Sequence, residues 1–398
     1  MNKLSIDQLQ LKGKRVLVRV DFNVPLDEHQ NVTDDTRIRA SLPTIKKIIN
    51  DGGKAILMSH LGRPKGKPNP KYSLKPAAVR LSEILGKEVK LAPDCIGNKA
   101  EQIVNEMKEG DVILLENLRF HAEEEANDEN FAKQLASLGD VYVNDAFGSA
   151  HRAHASTEGV TKYFKQNASG YLMQKEIDFL SKAVGNPERP YTAILGGAKI
   201  SGKIDVIKNL MNKVDNLIIG GGMAFTFFKA QGLEIGKSLL EEDRIQMAKE
   251  ILDEAKSKNL KLFFPVDTVI ADAFDNNANT EVVDINSIKP DWQGLDIGPK
   301  TIELFSEVIK NSKTIVWNGP MGVFEMDNFA TGTNAISKVL AEATEKGVIT
   351  IVGGGDSAAA ISKAGLDDKV SHVSTGGGAS LEFLEGKILP GVAALTEN

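Results

Sequence analysis

The run Gly353-Gly354-Gly355-Asp356-Ser357 combines the chemistry of an anion cradle with that of a cation ligand. Glycines let the backbone take positive φ and approach a ligand closely. The run follows an apolar, β-branched stretch, Ile349 to Val352, and precedes Ala358 to Ala360, so the order is strand, glycine turn, helix. A helix N-terminus placed there offers backbone N–H groups and a positive dipole end to an anion. Asp356 and Ser357 are residue types that cap helices, which puts the expected helix start just after them. A carboxylate in an anion site has two readings: Asp356 caps the helix, or it holds a metal ion that arrives with a polyphosphate.

Arginine supplies the complementary chemistry at the other end of the chain. Eight of the ten arginines lie at or before Arg152 and none follows Arg244, whereas every Gly-Gly-Gly run begins at Gly220 or later. Arginine suits forked recognition of carboxylate and phosphate, and glycine turns suit close main-chain contact with a polyphosphate. The first half therefore reads as a site for a small, multiply anionic substrate, and the second as a nucleotide site. Arg37, Arg63, Arg119 and Arg152 fall at or near successive expected strand ends, together with Asp21, Asn23 and His60. His60 has two readings, a donor to a substrate anion or a loop cap.

The familiar nucleotide motifs are incomplete. Gly197 to Ile204 (GAKISGKI) has P-loop spacing but places Ile204 where Ser or Thr would hold Mg²⁺, and Gly232 to Ser238 is one residue short between its glycines. Neither Gly220 to Phe225 nor Gly353 to Ala358 completes G-x-G-x-x-G. Lys199 and Lys203 are expected on one face of the first turns of a helix, either aimed at phosphate or solvated. No histidine pair forms an HExxH frame or sits beside cysteines in sequence, so a zinc site is not expected.

Behind these residues lie ten short apolar runs: Val16 to Val20, Ala55 to Met58, Val112 to Leu115, Val141 to Val143, Ala193 to Leu195, Leu217 to Ile219, Leu262 to Phe264, Thr314 to Trp317, Ile349 to Val352 and Val370 to Val373. Helical patterns separate them, among them Pro43 to Ile49, Leu74 to Leu85, Glu241 to Lys256 and Gly332 to Thr344. Such alternation gives βαβ units and an α/β fold, with doubly wound parallel sheets covered by helices. A chain of 398 residues exceeds one core, so the ten strands are divided between two sheets. The divide is the helical pattern Tyr171 to Val184, stopped by Gly185, Asn186 and Pro187. Two loops, Pro64 to Pro76 and the acidic Glu123 to Glu129, are expected to be solvated surface. A net charge of −6 speaks against a general nucleic-acid binder. A single cysteine, Cys95, rules out an intramolecular disulfide and fits a reducing compartment. The start MNKLSIDQLQLKGKR has no apolar core of a leader and no run approaches about 18 apolar residues, so neither a leader nor a membrane span is expected, and the default location is the cytoplasm.

Nine motifs then spell out a resemblance. RVDFNVP (Arg19 to Pro25), SHLGRP (Ser59 to Pro64), ENLRF (Glu116 to Phe120), NDAFGSAHRAHAS (Asn144 to Ser156), LGGAKISGKID (Leu195 to Asp205), IIGGGMAFTF (Ile218 to Phe227), VWNGPMGVFE (Val316 to Glu325), the GGGDS run and HVSTGGGAS (His372 to Ser380) resemble phosphoglycerate kinase, in that family's order. The resemblance implies two α/β domains joined by a hinge: residues 1–172 for phosphoglycerate, a helix at 173–186, residues 187–380 for the nucleotide, and 381–398 returning to the first domain. It implies reversible, in-line transfer of the acyl phosphate of 1,3-bisphosphoglycerate to ADP, giving 3-phosphoglycerate and ATP with Mg²⁺, by a glycolytic monomer. Matched position by position, Asp21, Asn23, Arg37, His60, Arg63, Arg119 and Arg152 would hold phosphoglycerate. Arg37, Lys199, Lys203, Gly354 and Gly377 would attend the transferring phosphoryl, with Arg39 the local competitor of Arg37. Lys203, Gly221, Gly294, Asn318, Glu325, Gly354, Gly355, Asp356 and Ser357 would hold the nucleotide, Asp356 also taking the metal. Both acceptors are already anionic, so no general base is needed, and Asp21 would hydrogen-bond the substrate hydroxyl. Two other classes remain open: a kinase of a hydroxy acid with Asp21 as base, and a non-catalytic nucleotide-binding protein.

Overall fold

The computed structural model describes residues 2–398. The chain forms two compact units, residues 1–178 with 388–398, and residues 179–387.

In the first unit six parallel strands form one sheet: β1 (Arg15–Arg19), β2 (Lys54–Met58), β3 (Val89–Leu91), β4 (Val112–Leu114), β5 (Val141–Asn144) and β6 (Asn167–Ser169), ordered β3-β4-β2-β1-β5-β6. β1 lies between β2 and β5, with Arg19 opposite Met58 on one side and Asn144 on the other. Its apolar residues are buried, as strands covered on both faces require. Val16, Val18 and Val20 share a core with Ile38, Ile45 and Ile48 from the helix Thr36–Asn50. That helix begins earlier than the pattern Pro43 to Ile49 suggests and carries Pro43 inside it, so Arg37 and Arg39 lie on its first turn. The last residues of the chain pack in this unit: Leu389, Val392 and Leu395 are buried, and Gly391 N–H donates to the Ala150 carbonyl at 2.8 Å.

The second unit holds a parallel sheet of β7 (Tyr191–Leu195), β8 (Asn216–Ile219), β9 (Lys261–Phe263) and three later strands, with an antiparallel sheet inserted between them in sequence. The insert is β10 (Asp267–Ala271), β11 (Thr280–Asp284) and β12 (Gln293–Ile297), ordered β11-β10-β12. The parallel sheet resumes with β13 (Thr314–Asn318), β14 (Ile349–Gly353) and β15 (His372–Val373), giving β15-β14-β13-β7-β8-β9. Its core includes Trp317, Phe305 and Ile336.

Among the described residues the expectation of ten strands in two sheets is corrected to fifteen in three. The additional strands lack a continuous apolar signature. β6 reads Asn-Ala-Ser, β3 has three residues, and β11 is almost wholly exposed. The expectation of a solvated acidic loop at Glu123 to Glu129 is also corrected. Ala122–Glu125 is a helical turn in which Glu124 is fully buried. Pro64 to Pro76 is largely exposed, as expected, and contains the 3₁₀ turn Pro70–Tyr72, with the following helix starting at Lys75.

Candidate functional site

In open α/β sheets, ligand-binding residues gather beyond the carboxyl ends of strands. In the first unit Asp21 and Asn23 follow β1, His60 and Arg63 follow β2, Arg119 follows β4, and Arg152 follows β5. Asp21 accepts from Arg37 Nη1 through both carboxylate oxygens at 3.0 Å, and the pair is only partly covered. Arg39 is engaged elsewhere, its Nε donating to Asp35 at 2.9 Å. Gly62 links two neighbours: its N–H donates to Asn23 Oδ1 at 2.9 Å, and its carbonyl accepts from Arg119 Nη1 at 3.0 Å. Gly62 adopts φ +60° with the Tyr72 ring against it, so the loop accepts no side chain there. Arg152 is half-buried and its Nε lies 3.2 Å from His151 Nε2. Arg63 is exposed and makes no hydrogen bond or ion pair within the described residues.

Burial, together with Arg19, Arg119, Arg152 and Arg37, holds the His60 imidazole well below the ordinary histidine range. The ring is therefore neutral at physiological pH. Arg19, outside the expected set, is itself buried within β1 and touches His60, Ser149 and Ser156. The signal for it was present: an arginine ending the run Arg-Val-Leu-Val-Arg in a central strand has to find buried partners.

In the second unit the expected residues fall into two neighbouring groups. Gly221 and Gly294 line a cavity of about 430 Å³, with Phe225, Asp296, Glu325 and Asp356 on its walls. Gly294 leaves room for no Cβ, which would stand 2.2 Å from the Phe225 ring. Gly221, at φ +67°, would push a Cβ into Gly197 at 2.6 Å. Asp296, which the sequence reading did not single out, accepts Ile297 and Gly332 N–H groups at 2.8 Å, and burial raises its pKa to about 7.

The other group surrounds Asn318 at the end of β13. Lys203 Nζ donates to the Asn318 carbonyl at 2.9 Å and to its Oδ1. Burial lowers the Lys203 ammonium to about 8, with Asp356 opposing the shift. Asn318 Nδ2 is buried without a hydrogen-bond partner, a donor left over for something else. Two helix N-termini converge here. Gly354, at φ +93°, precedes the helix Gly355–Lys363, and Gly377 opens Gly377–Leu384, a Cβ on Gly377 reaching within 3.0 Å of Gly355 N. Both helices therefore point free N–H groups at one spot. Ser357 Oγ accepts the Gly319 N–H at 2.6 Å, which locks the two loops together.

Two local expectations change. The helix starts at Gly355, so Asp356 and Ser357 sit in its first turn instead of capping it. Asp356 is exposed on the cavity wall and accepts no cap hydrogen bond there, which leaves its carboxylate open. Lys199 and Lys203 do not share a helical face, because the helix begins at Ile204: Lys199 stands exposed on the loop and Lys203 is half-buried at its end. Histidine and cysteine do meet in space, since ligand atoms of Asp94, Cys95 and His121 lie within 4.8 Å of one another, Asp94 Oδ1 being 2.7 Å from His121 Nε2.

The chain is similar over nearly its whole length to known proteins. The family described as phosphoglycerate kinase matches residues 6–387. A phosphoglycerate kinase of Chloroherpeton thalassium is 63% identical over the full length of both chains. A cytosolic phosphoglycerate kinase of Triticum aestivum is 60% identical over 99% of this chain and 98% of its own. Among solved structures, phosphoglycerate kinase from Coxiella burnetii matches with a TM-score of 0.90 at 43% identity, covering 98% of each chain. That from Pyrococcus horikoshii matches at 0.85 and 34%, again over 98% of each.

Proposed function

The chain belongs to the phosphoglycerate kinase family, and on that premise we propose how its two clusters share the transfer of an acyl phosphate from 1,3-bisphosphoglycerate to ADP. Phosphoglycerate binds in the first unit, on Asn23, His60, Arg63, Arg119 and Arg152. Asp21, already accepting from Arg37, keeps lone pairs for the substrate hydroxyl. Arg37 is only partly covered and able to swing toward the transferring group. The adenosine part of the nucleotide occupies the cavity at Gly221, Gly294 and Glu325. Its phosphates meet Lys199, Lys203, Asn318, the helix start at Gly354, Gly355 and Ser357, and the second start at Gly377.

The observation that carries this reading is the convergence of two helix N-termini and a buried amide donor on one spot beside Lys203. Such a set neutralises the equatorial oxygens of an in-line phosphoryl transfer without moving a proton. No general base is required, since the acceptor is a carboxylate in one direction and a phosphate in the other. Asp356 offers a hard, exposed oxygen donor beside the phosphate cradle, which fits Mg²⁺ entering with ADP or ATP. When bound, that ion would neutralise phosphate charge. Transfer requires the two ligands to meet, so the reaction calls for closure of one unit on the other. Among the described residues no helix is long and apolar enough to cross a membrane. A net charge of −6 speaks against a nucleic-acid partner, and the cytosolic relative from Triticum aestivum supports the proposal of a cytoplasmic monomer whose partners are small molecules.

A coupled assay with ATP, Mg²⁺ and 3-phosphoglycerate tests the reading. Turnover is expected with 3-phosphoglycerate and absent with glycerate. Phosphorylation of glycerate would instead favour a hydroxy-acid kinase.

A further inference from the structure

Glu124 is the one buried member of the run Glu123–Glu125, and it lies behind the arginine cluster. Ser156 engages both of its oxygens: the backbone N–H donates to Oε2 at 2.9 Å and the hydroxyl to Oε1 at 2.5 Å. The same hydroxyl accepts from Arg19 Nε at 2.8 Å. Arg19 Nη2 then reaches His60 Nδ1 at 3.0 Å. Glu124, Ser156, Arg19 and His60 are all buried, so the chain from carboxylate to imidazole runs out of contact with solvent.

Counting protons fixes the direction of every bond. A guanidinium only donates, so Arg19 makes His60 Nδ1 an acceptor and leaves the proton of the neutral ring on Nε2. Ser156 has one hydroxyl proton, and because its oxygen accepts from Arg19, that proton goes to Glu124. Both Glu124 oxygens then accept, which is the arrangement of an ionised carboxylate. Burial holds its pKa above the ordinary carboxylate value, against the opposing pull of Arg19, the two Ser156 donors and Arg119. The other titratable groups that face it are uncharged near neutrality. His154, with Nδ1 at 4.0 Å, is held down to about 4 by burial and the arginines. Burial pushes the Cys95 thiol and the Tyr142 phenol upward. Glu124 is thus the anion that balances Arg19.

We propose that Glu124 is a positioning residue for the phosphoglycerate site, acting through Ser156 and Arg19 to lock His60 in its Nε2-protonated form, a fixed donor for an anionic oxygen of the substrate. The opposite tautomer would turn a lone pair toward that anion. The proposal rests on the assignment of His60 to the substrate site, and its primary readout needs no turnover.

Two-bond proton–nitrogen spectra of the full-length chain, without substrate and with His60 assigned through His60→Gln, read the tautomer directly. The wild-type ring is expected to show the Nε2-protonated pattern, unchanged from mildly acidic to mildly alkaline pH. Glu124→Gln, whose amide N–H₂ would oppose a Ser156 donor, and Ser156→Ala, which removes the bridge, each convert it to a mixture of tautomers in a folded protein. The KM for 3-phosphoglycerate rises about tenfold in each variant and about tenfold, not a hundredfold, in the double variant, because both break one chain. A wild-type ring protonated on Nδ1, or a wild-type tautomer retained in a folded variant, overturns the proposal. The wild-type spectrum decides the matter even if neither variant folds. A protein that shows the expected tautomer but ignores 3-phosphoglycerate would contradict the assignment of the site instead.

Discussion

The two proposed anion sites differ in the physical means by which they would hold a ligand. In the first unit the donors are side chains, and their charge is compensated from behind: Asp21 stands on Arg37 and Glu124 stands behind Arg19. In the second unit the donors are mostly main-chain N–H groups, and what keeps them available is empty space. A Cβ at Gly294 would enter the Phe225 ring, and one at Gly377 would press on Gly355 N. The first cluster is therefore broken by removing charge and the second by adding atoms.

The largest effect expected from that contrast is on the transfer step itself. Arg37→Ala or Lys199→Ala lowers kcat by about 10²–10⁴, the scale of removing a preorganised charge stabiliser. Steady-state kinetics checks this, and a loss confined to KM would put either residue outside the transfer step. A smaller effect is expected from filling space at the glycines. Gly294→Ala raises the KM for nucleotide by about 10-fold to 100-fold, the cost of overpacking a tight site, and leaves the KM for 3-phosphoglycerate unchanged. An equal rise in both would mean that the two sites are not separable.

A pH profile sharpens the comparison, because the second unit has a titrating cation where the first has guanidinium groups. Burial penalises the charged form of Lys203, so its folded pKa is about 8 against an ordinary 10.5. The ammonium is lost as pH rises past about 8, and kcat/KM for the nucleotide falls with it. Lys203→Arg should remove that decline, and a profile identical to wild type would exclude Lys203 as its source. The stability term has the opposite slope. Between about 8 and 10.5 the unfolded chain binds more protons than the folded one, so this group's penalty is relieved as pH rises. The smallest expected signal is in small-angle scattering: the radius of gyration falls when both ligands are present, and no change would count against closure.

The sequence carried a large part of this organisation. Parallel strands buried on both faces read as apolar runs, so their carboxyl ends, and the residues following them, could be located. β11 is hidden by its exposure, and β10 and β12 by short apolar runs that Asp267 and Asp296 flank or interrupt, so Asp296 is hidden with them. Glu124 was misread because its burial is decided by Ser156, 32 positions away, and not by its acidic neighbours. Lys199 and Lys203 were placed on a helix because the length of the turn before Ile204 is not written in GAKISGK. The linkage of Arg19 to His60 spans 41 positions and depends on β1 and β2 being neighbours, a strand order that periodicity cannot give.

The central claim is that each anion has its own unit. Amide chemical-shift mapping of the intact chain with 3-phosphoglycerate alone, and then with Mg²⁺-ADP alone, tests it most directly. The first ligand should move the amides of Asn23, Gly62 and Arg119, and the second those of Gly221, Gly294, Gly354 and Gly377. Phosphoglycerate shifting the glycine turns while leaving Asn23 and Gly62 in place would contradict it.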